Sequence, residues 1–87
     1  MNATEQRICD AMQARLGPLY EVHGVRITRI PDQQLGERVE GYATRGHTNS
    51  WSFVSSDVAA ITPDVLAFTI DQCAKFVEQL YAKNANT

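Results

Sequence analysis

Thr62-Pro63-Asp64-Val65-Leu66-Ala67-Phe68-Thr69-Ile70-Asp71-Gln72-Cys73-Ala74-Lys75-Phe76-Val77-Glu78-Gln79-Leu80-Tyr81-Ala82-Lys83 carries the strongest periodicity in the chain, and the layering of the molecule follows from it. Thr62 is a good N-cap, and Pro63 stands where a missing N–H costs nothing. Asp64 suits the positive end of a helix dipole and Lys83 the negative end. Leu66, Ile70, Cys73, Val77 and Leu80 recur at helical spacing, flanked by Val65, Thr69, Ala74, Phe76 and Tyr81. Together they make an apolar arc of roughly 160°, wide enough to cover a core. Phe68 falls nearly opposite that arc, beside Asp71, Lys75 and Gln79. Such a helix needs one apolar layer to rest on.

The preceding residues supply that layer as strands. In Glu37–Thr44, Val39, Gly41 and Ala43 alternate with Arg38, Glu40, Tyr42 and Thr44. In Ser50–Val54, Trp51 and Phe53 share one face, with Ser52 and Val54 opposite. Arg45–Asn49 reads as the turn between them, and connections this short favour antiparallel neighbours. Leu19–Ile30 also alternates, but its phase breaks at His23-Gly24. A hairpin turn there gives a fourth strand; a bulge or bend keeps one long strand. The shortness of Leu19–Val22 favours the bulge or bend. Pro31–Gly36 is a turn by composition. Val58–Ile61 either extends the last strand or forms a covered loop.

A first helix spans Ala3–Leu16. Asn2 caps it, Glu5 completes a capping box, and Gly17-Pro18 ends it. Ile8, Cys9, Met12 and Leu16 fall on its inner flank, with Ala11 at the margin. Arg15 reaches water from the helix end, and Gln6, Asp10 and Gln13 face away. The expected fold is α+β and two-layered, in the order α-β-β-β-α. Two helices pack on one face of a three-stranded antiparallel sheet, or a four-stranded one if Leu19–Ile30 splits. One domain covers residues 1–83, and the small polar residues 84–87 form a frayed tail.

The 87 residues are 44% hydrophobic with a formal net charge of −2, a balance that fits one folded domain and excludes a disordered chain. No apolar run approaches the ~20 residues of a membrane span. No secretion signal is visible at the start, so the expected location is the cytoplasm. All six Arg lie in residues 1–45, spread among six acids, so no basic run marks a nucleic-acid binder.

Chemistry-bearing residues are present without their patterns. His23, His47, Cys9 and Cys73 include no local ligand pair of the kind a zinc site uses. His47, Ser50, Ser55, Ser56 and Asp57 carry no nucleophile signature, and the five glycines form no phosphate-binding loop. A two-layer domain this small leaves little room for a pocket of several hundred Å3. The expectation is therefore no enzyme, no cofactor and no small-molecule ligand. The order α-β-β-β-α resembles, in topology alone, the double-stranded-RNA-binding domains. That resemblance implies lysines at the start of the second helix, where this chain reads Thr62-Pro63-Asp64-Val65. Nucleic-acid binding stands as the alternative.

The expected work is contact with a protein, either a copy of the chain or a larger partner that it regulates or inhibits. Small inhibitors of host defence carried by phages and mobile elements have this size. The candidate contact residues are Phe68 on the polar side of the last helix, with Tyr42, Arg38 and Arg26 on the uncovered sheet face. Tyr and Arg are enriched at binding hot spots.

Overall fold

The computed structural model describes residues 1–31 and 36–85. The elements run α1 (Ala3–Leu16), β1 (Glu21–Arg29), β2 (Glu37–Arg45), β3 (His47–Ser55), a short 3-10 turn (Val58–Ala60) and α2 (Pro63–Ala85). The sheet order is β1-β2-β3, antiparallel throughout. α1 packs over β1, α2 packs over β3, and the helices pack against each other. The fold is two-layer α+β.

α1 is built as its sequence dictates. Asn2 Oδ1 accepts from the Glu5 N–H, and Glu5 Oε1 accepts from the Asn2 N–H, each at 2.8 Å. Gly17, at φ +90°, closes the helix by donating its N–H to the Gln13 carbonyl. A residue without a Cβ adopts this backbone most readily. Two polar residues behave differently from expectation. Gln13 turns toward β1, where its amide donates to the Gly17 and Tyr20 carbonyls and accepts from the Val22 N–H. Arg15 ends in ion pairs with Asp71 and Glu78 of α2 rather than in open water. The carboxylates that Arg15 bonds lie 56 and 63 residues along the chain and are brought near by folding, whereas the backbone groups that Gln13 bonds lie 4 to 9 residues away, where the chain turns back along α1 into β1.

The phase break at His23-Gly24 is a bulge. Pairing of β1 with β2 runs from Glu21↔Thr44 to His23↔Tyr42, then resumes at Arg26↔Glu40. Gly24 sits at φ +67° with the Tyr42 ring across it, and a Cβ there would lie 2.7 Å from Tyr42 Cδ2. No fourth strand forms among the described residues. Leu19 lies before β1 and is exposed, whereas Tyr20 is buried.

The β2–β3 hairpin is tighter than expected. Arg45 pairs with His47 around Gly46 alone, so His47, Thr48 and Asn49 belong to the strand instead of a turn. A left-handed glycine at φ +76° makes that reversal, and a 2.8 Å bond between the Thr44 and Thr48 hydroxyls reinforces the pairing. Val58–Ile61 neither extends the strand nor stays a loop. It coils into the 3-10 turn with Val58 buried, and the Val58 N–H donates to Glu37 Oε1.

The core lies between the layers, with Ile8 and Met12 of α1, Val39 of β2 and Val77 of α2 at its centre. Trp51 lies over Gly41, its direct cross-strand neighbour. At the far end Arg45 stacks over Tyr81 at 4.0 Å and Tyr20 at 5.4 Å, tying the hairpin to both helical ends. The apolar arc of α2 is narrower than its sequence suggests: Leu66, Ile70, Cys73, Ala74 and Val77 are buried, while Val65 and Phe76 are exposed. A three-stranded sheet does not reach far enough beyond β3 to cover that flank. Asn84 and Ala85 continue α2, beyond the expected limit at Lys83. Residues 86–87 of the expected tail, and residues 32–35 of the expected turn, lie outside the described residues.

Candidate functional site

The two edges of the sheet are finished differently. Along β1, side chains of α1 occupy the outward backbone groups. Gln13 takes the Val22 N–H at 2.9 Å, Glu5 Oε2 takes the Ile27 N–H at 2.9 Å, and the Cys9 thiol donates to the Val22 carbonyl at 3.5 Å. Along β3, one such bond exists among the described residues, from the Cys73 thiol to the Ser52 carbonyl at 3.7 Å. In an antiparallel strand the N–H and C=O of alternate residues turn to the same side. The Cys73 bond therefore marks Thr48, Ser50, Ser52 and Val54 as the positions that face the open edge.

Around that edge runs a groove of about 620 Å3, lined on the α2 side by Trp51, Phe68, Gln72 and Phe76 and on the outer sheet face by Arg38, Glu40 and Tyr42. The sequence left little room for a pocket of this size. It exists because the groove lies outside the two-layer core, where the flank of α2 overhangs the sheet. Phe68 is 66% exposed and Phe76 51%. The Trp51 indole N–H is buried without a hydrogen-bond partner among the described residues, a condition that costs roughly 1–3 kcal/mol.

Of the four contact residues expected from the sequence, Phe68, Tyr42 and Arg38 line this groove. Arg26 does not; it is exposed on β1, opposite Glu40. Tyr42 is less free than its place on the outer face suggests, because it stacks on His23 with ring centroids 5.6 Å apart. His23 Nε2 in turn meets Thr44 Oγ1 at 2.9 Å. Phe76 is legible as an apolar residue, but its helical angle places it in the buried arc. Only the reach of the sheet shows that its flank is uncovered. Gln72 carries no signal in isolation, being polar and exposed.

The groove holds little reactive chemistry. Burial pushes the Cys73 thiol above its usual range, and burial together with Asp10 does the same for Cys9, so both remain protonated at neutral pH. No cluster of three or more His, Cys, Asp or Glu that could hold a metal ion forms among the described residues. The first turn of α2 bears Asp64 and the last turn Lys83, so the position where double-stranded-RNA-binding domains carry lysines is acidic here. No described helix is long and apolar enough to cross a membrane. Comparison with protein-family models, curated proteins and solved structures finds no match to the chain.

Proposed function

We propose that the chain is a non-enzymatic protein-interaction module that works through the β3 edge and the adjoining flank of α2. The carrying observation is the coincidence of an unsealed strand with two more-than-half-exposed phenylalanines beside it. An unpaired edge is a template for another strand, and exposed apolar groups rimmed by polar ones mark interaction surfaces. The partner is a protein chain: either a copy of this one or a larger protein that it regulates or blocks. For the larger partner, an inhibitor of the kind carried by mobile elements is supported by chain length alone. A cytoplasmic location belongs to the same proposal and is supported by the two free, buried thiols.

The test is affinity capture with the tagged chain in its native cells, read by mass spectrometry with the untagged chain counted among the captured proteins. The wild type should retain at least one protein in near-stoichiometric amount, and the Phe68→Ser/Phe76→Ser double variant should lose it. Retention unaffected by the double variant, or no retention by either form, overturns the proposal.

A further inference from the structure

We infer that the open edge of β3 takes an extended segment of another protein as a fourth strand, apolar where it faces α2 and acidic where it faces away. The inference rests on the interaction reading above and names the kind of partner.

The edge asks for backbone. Thr48, Ser50, Ser52 and Val54 turn their N–H and C=O groups away from β2, and among the described residues the Cys73 thiol on the Ser52 carbonyl is the one bond made there. These groups repeat every second residue, at ~7 Å, which is the repeat of another strand. The matching groups of β1 are taken up by Gln13, Glu5 and Cys9. Residues 47–55 also contain no Lys, Arg, Asp, Glu or Pro, the residues with which exposed edges are guarded against pairing.

The position of α2 decides what kind of strand fits. α2 packs over β3, and a helix with its side chains is ~10–12 Å wide. Its flank therefore projects about 5–6 Å past its axis, roughly the ~4.8 Å spacing of one further strand. Packed helix axes stand ~8–10 Å apart, so a sheet that carries its own helix on this face would drive that helix into α2. An antiparallel copy of this chain would do so, since its own β3 lies under its own α2. A lone extended segment brings no such layer.

The walls set the chemistry of that segment. Phe68, Gln72 and Phe76 line the groove on the α2 side without a charge, over ~12 Å of helix. Residues i, i+2 and i+4 of a strand cover ~13 Å, so three alternate side chains meet this flank. A charge set under the phenylalanines would be desolvated without a partner, which makes those side chains apolar. The residues between them face the outer side of the sheet, where Arg38 and Glu40 line the groove. Glu40 stands opposite Arg26, whereas exposed Arg38 stands between Thr28 and Val54 with no carboxylate directly across from it. The added strand lies two spacings, ~10 Å, from Arg38, within the combined reach of its guanidinium and a Glu side chain. An acid is the complement there.

The experiment selects twelve-residue peptides from a random display library on the immobilised full chain. Peptides enriched on the wild type should alternate apolar residues with Asp or Glu, and they should not bind Phe68→Ser/Phe76→Ser, whose circular dichroism should be unchanged. Arg38→Glu should select Lys or Arg in place of the acids. The most enriched peptide should slow amide exchange at Ser50 and Ser52 and leave Trp51 and Phe53, which pair with β2, unchanged. Sedimentation of the chain alone should give 9.7 kDa. Enrichment no greater than on the double variant, peptides of helical period, or exchange slowed equally at all four amides overturns the inference. Acids retained on Arg38→Glu overturn the charge assignment, and a dimer that the peptide dissociates assigns the edge to a second copy instead. If no peptide is enriched while the capture experiment still yields a partner lost in the double variant, the extended segment falls and the interaction reading stands.

Discussion

A Cβ built on Gly41 would stand 2.4 Å from Cζ2 of Trp51, because the indole lies flat over its cross-strand partner. That distance is far inside van der Waals contact, and the obstacle is a packed ring rather than a flexible chain end. Gly41→Ala gains a little by stiffening the unfolded chain, roughly 0.4–1 kcal/mol. The clash outweighs this, since overpacking a filled core costs about 1–3 kcal/mol. Gly41→Ala should therefore lower the midpoint of chemical denaturation. The loss should shrink in a Trp51→Phe background, where a smaller ring leaves room. Equal losses in both backgrounds would show that the indole is not the obstacle.

Val77 and Phe76 are neighbours in sequence with opposite surroundings, 0% and 51% exposed. Val77→Asp buries an unpaired charge at the centre of the core and should abolish cooperative unfolding. Phe76→Ser touches only the overhanging flank, so the folded monomer should change by no more than about 0.5 kcal/mol. Thermal melts of the two variants check this, and a stable Val77→Asp would mean that α2 presents a different face to the sheet.

Gln13 makes three hydrogen bonds to backbone, one of them with the Val22 N–H on the outward edge of β1. Removing its amide leaves the Val22 N–H without its partner, and an unsatisfied group of this kind costs about 1–3 kcal/mol, the lower end applying where water can enter. Gln13→Ala should lose stability in that range. It should also speed hydrogen exchange at the Val22 amide while leaving amides in the middle of β2 protected by comparison. Uniform acceleration across the sheet would assign Gln13 a global role instead.

Two carboxylates make the fold sensitive to acid. Hydrogen bonds from Arg15, then Lys75, hold Asp71 below the usual 3.8, and the N–H groups of Asn2 and Ile27 hold Glu5 below 4.5. Each binds its proton more weakly folded than unfolded, so its contribution is complete above the unfolded pKa. It is lost as pH falls through the lowered folded value. Stability should therefore hold from neutrality to about pH 5, decline below it as these carboxylates take up protons, and decline less steeply in Arg15→Met or Glu5→Gln. Both sites are solvated, so added salt should also flatten the decline for the Arg15–Asp71 pair. Equal acid slopes in wild type and variants would remove these groups as its cause.

Much of the architecture was legible because local patterns carried it. Asn2 and Glu5 announced the start of α1 by capping chemistry, and the change of parity at His23-Gly24 announced a hairpin turn or a bulge, of which the pairing of β1 with β2 shows the bulge. Alternation in Glu37–Thr44 assigned Val39, Gly41 and Ala43 to the core face. The expectation failed where the path of the chain beyond a single element decided the outcome. His47–Asn49 has turn composition but pairs into β3 because Gly46 alone can reverse the chain. Gln13 and Arg15 look solvated until β1 and α2 come within reach. Phe68 stood out as exposed by its helical angle, whereas Phe76 did not, since its own angle fits a buried arc.

Periodicity, capping residues and parity determined the element order, the antiparallel sheet and the face each strand turns to the helices, because these depend on backbone geometry within a few residues. The tertiary structure decided which edge is sealed and which flank of α2 hangs free. Those depend on where a three-stranded sheet ends relative to a helix lying across it, a distance no local pattern encodes.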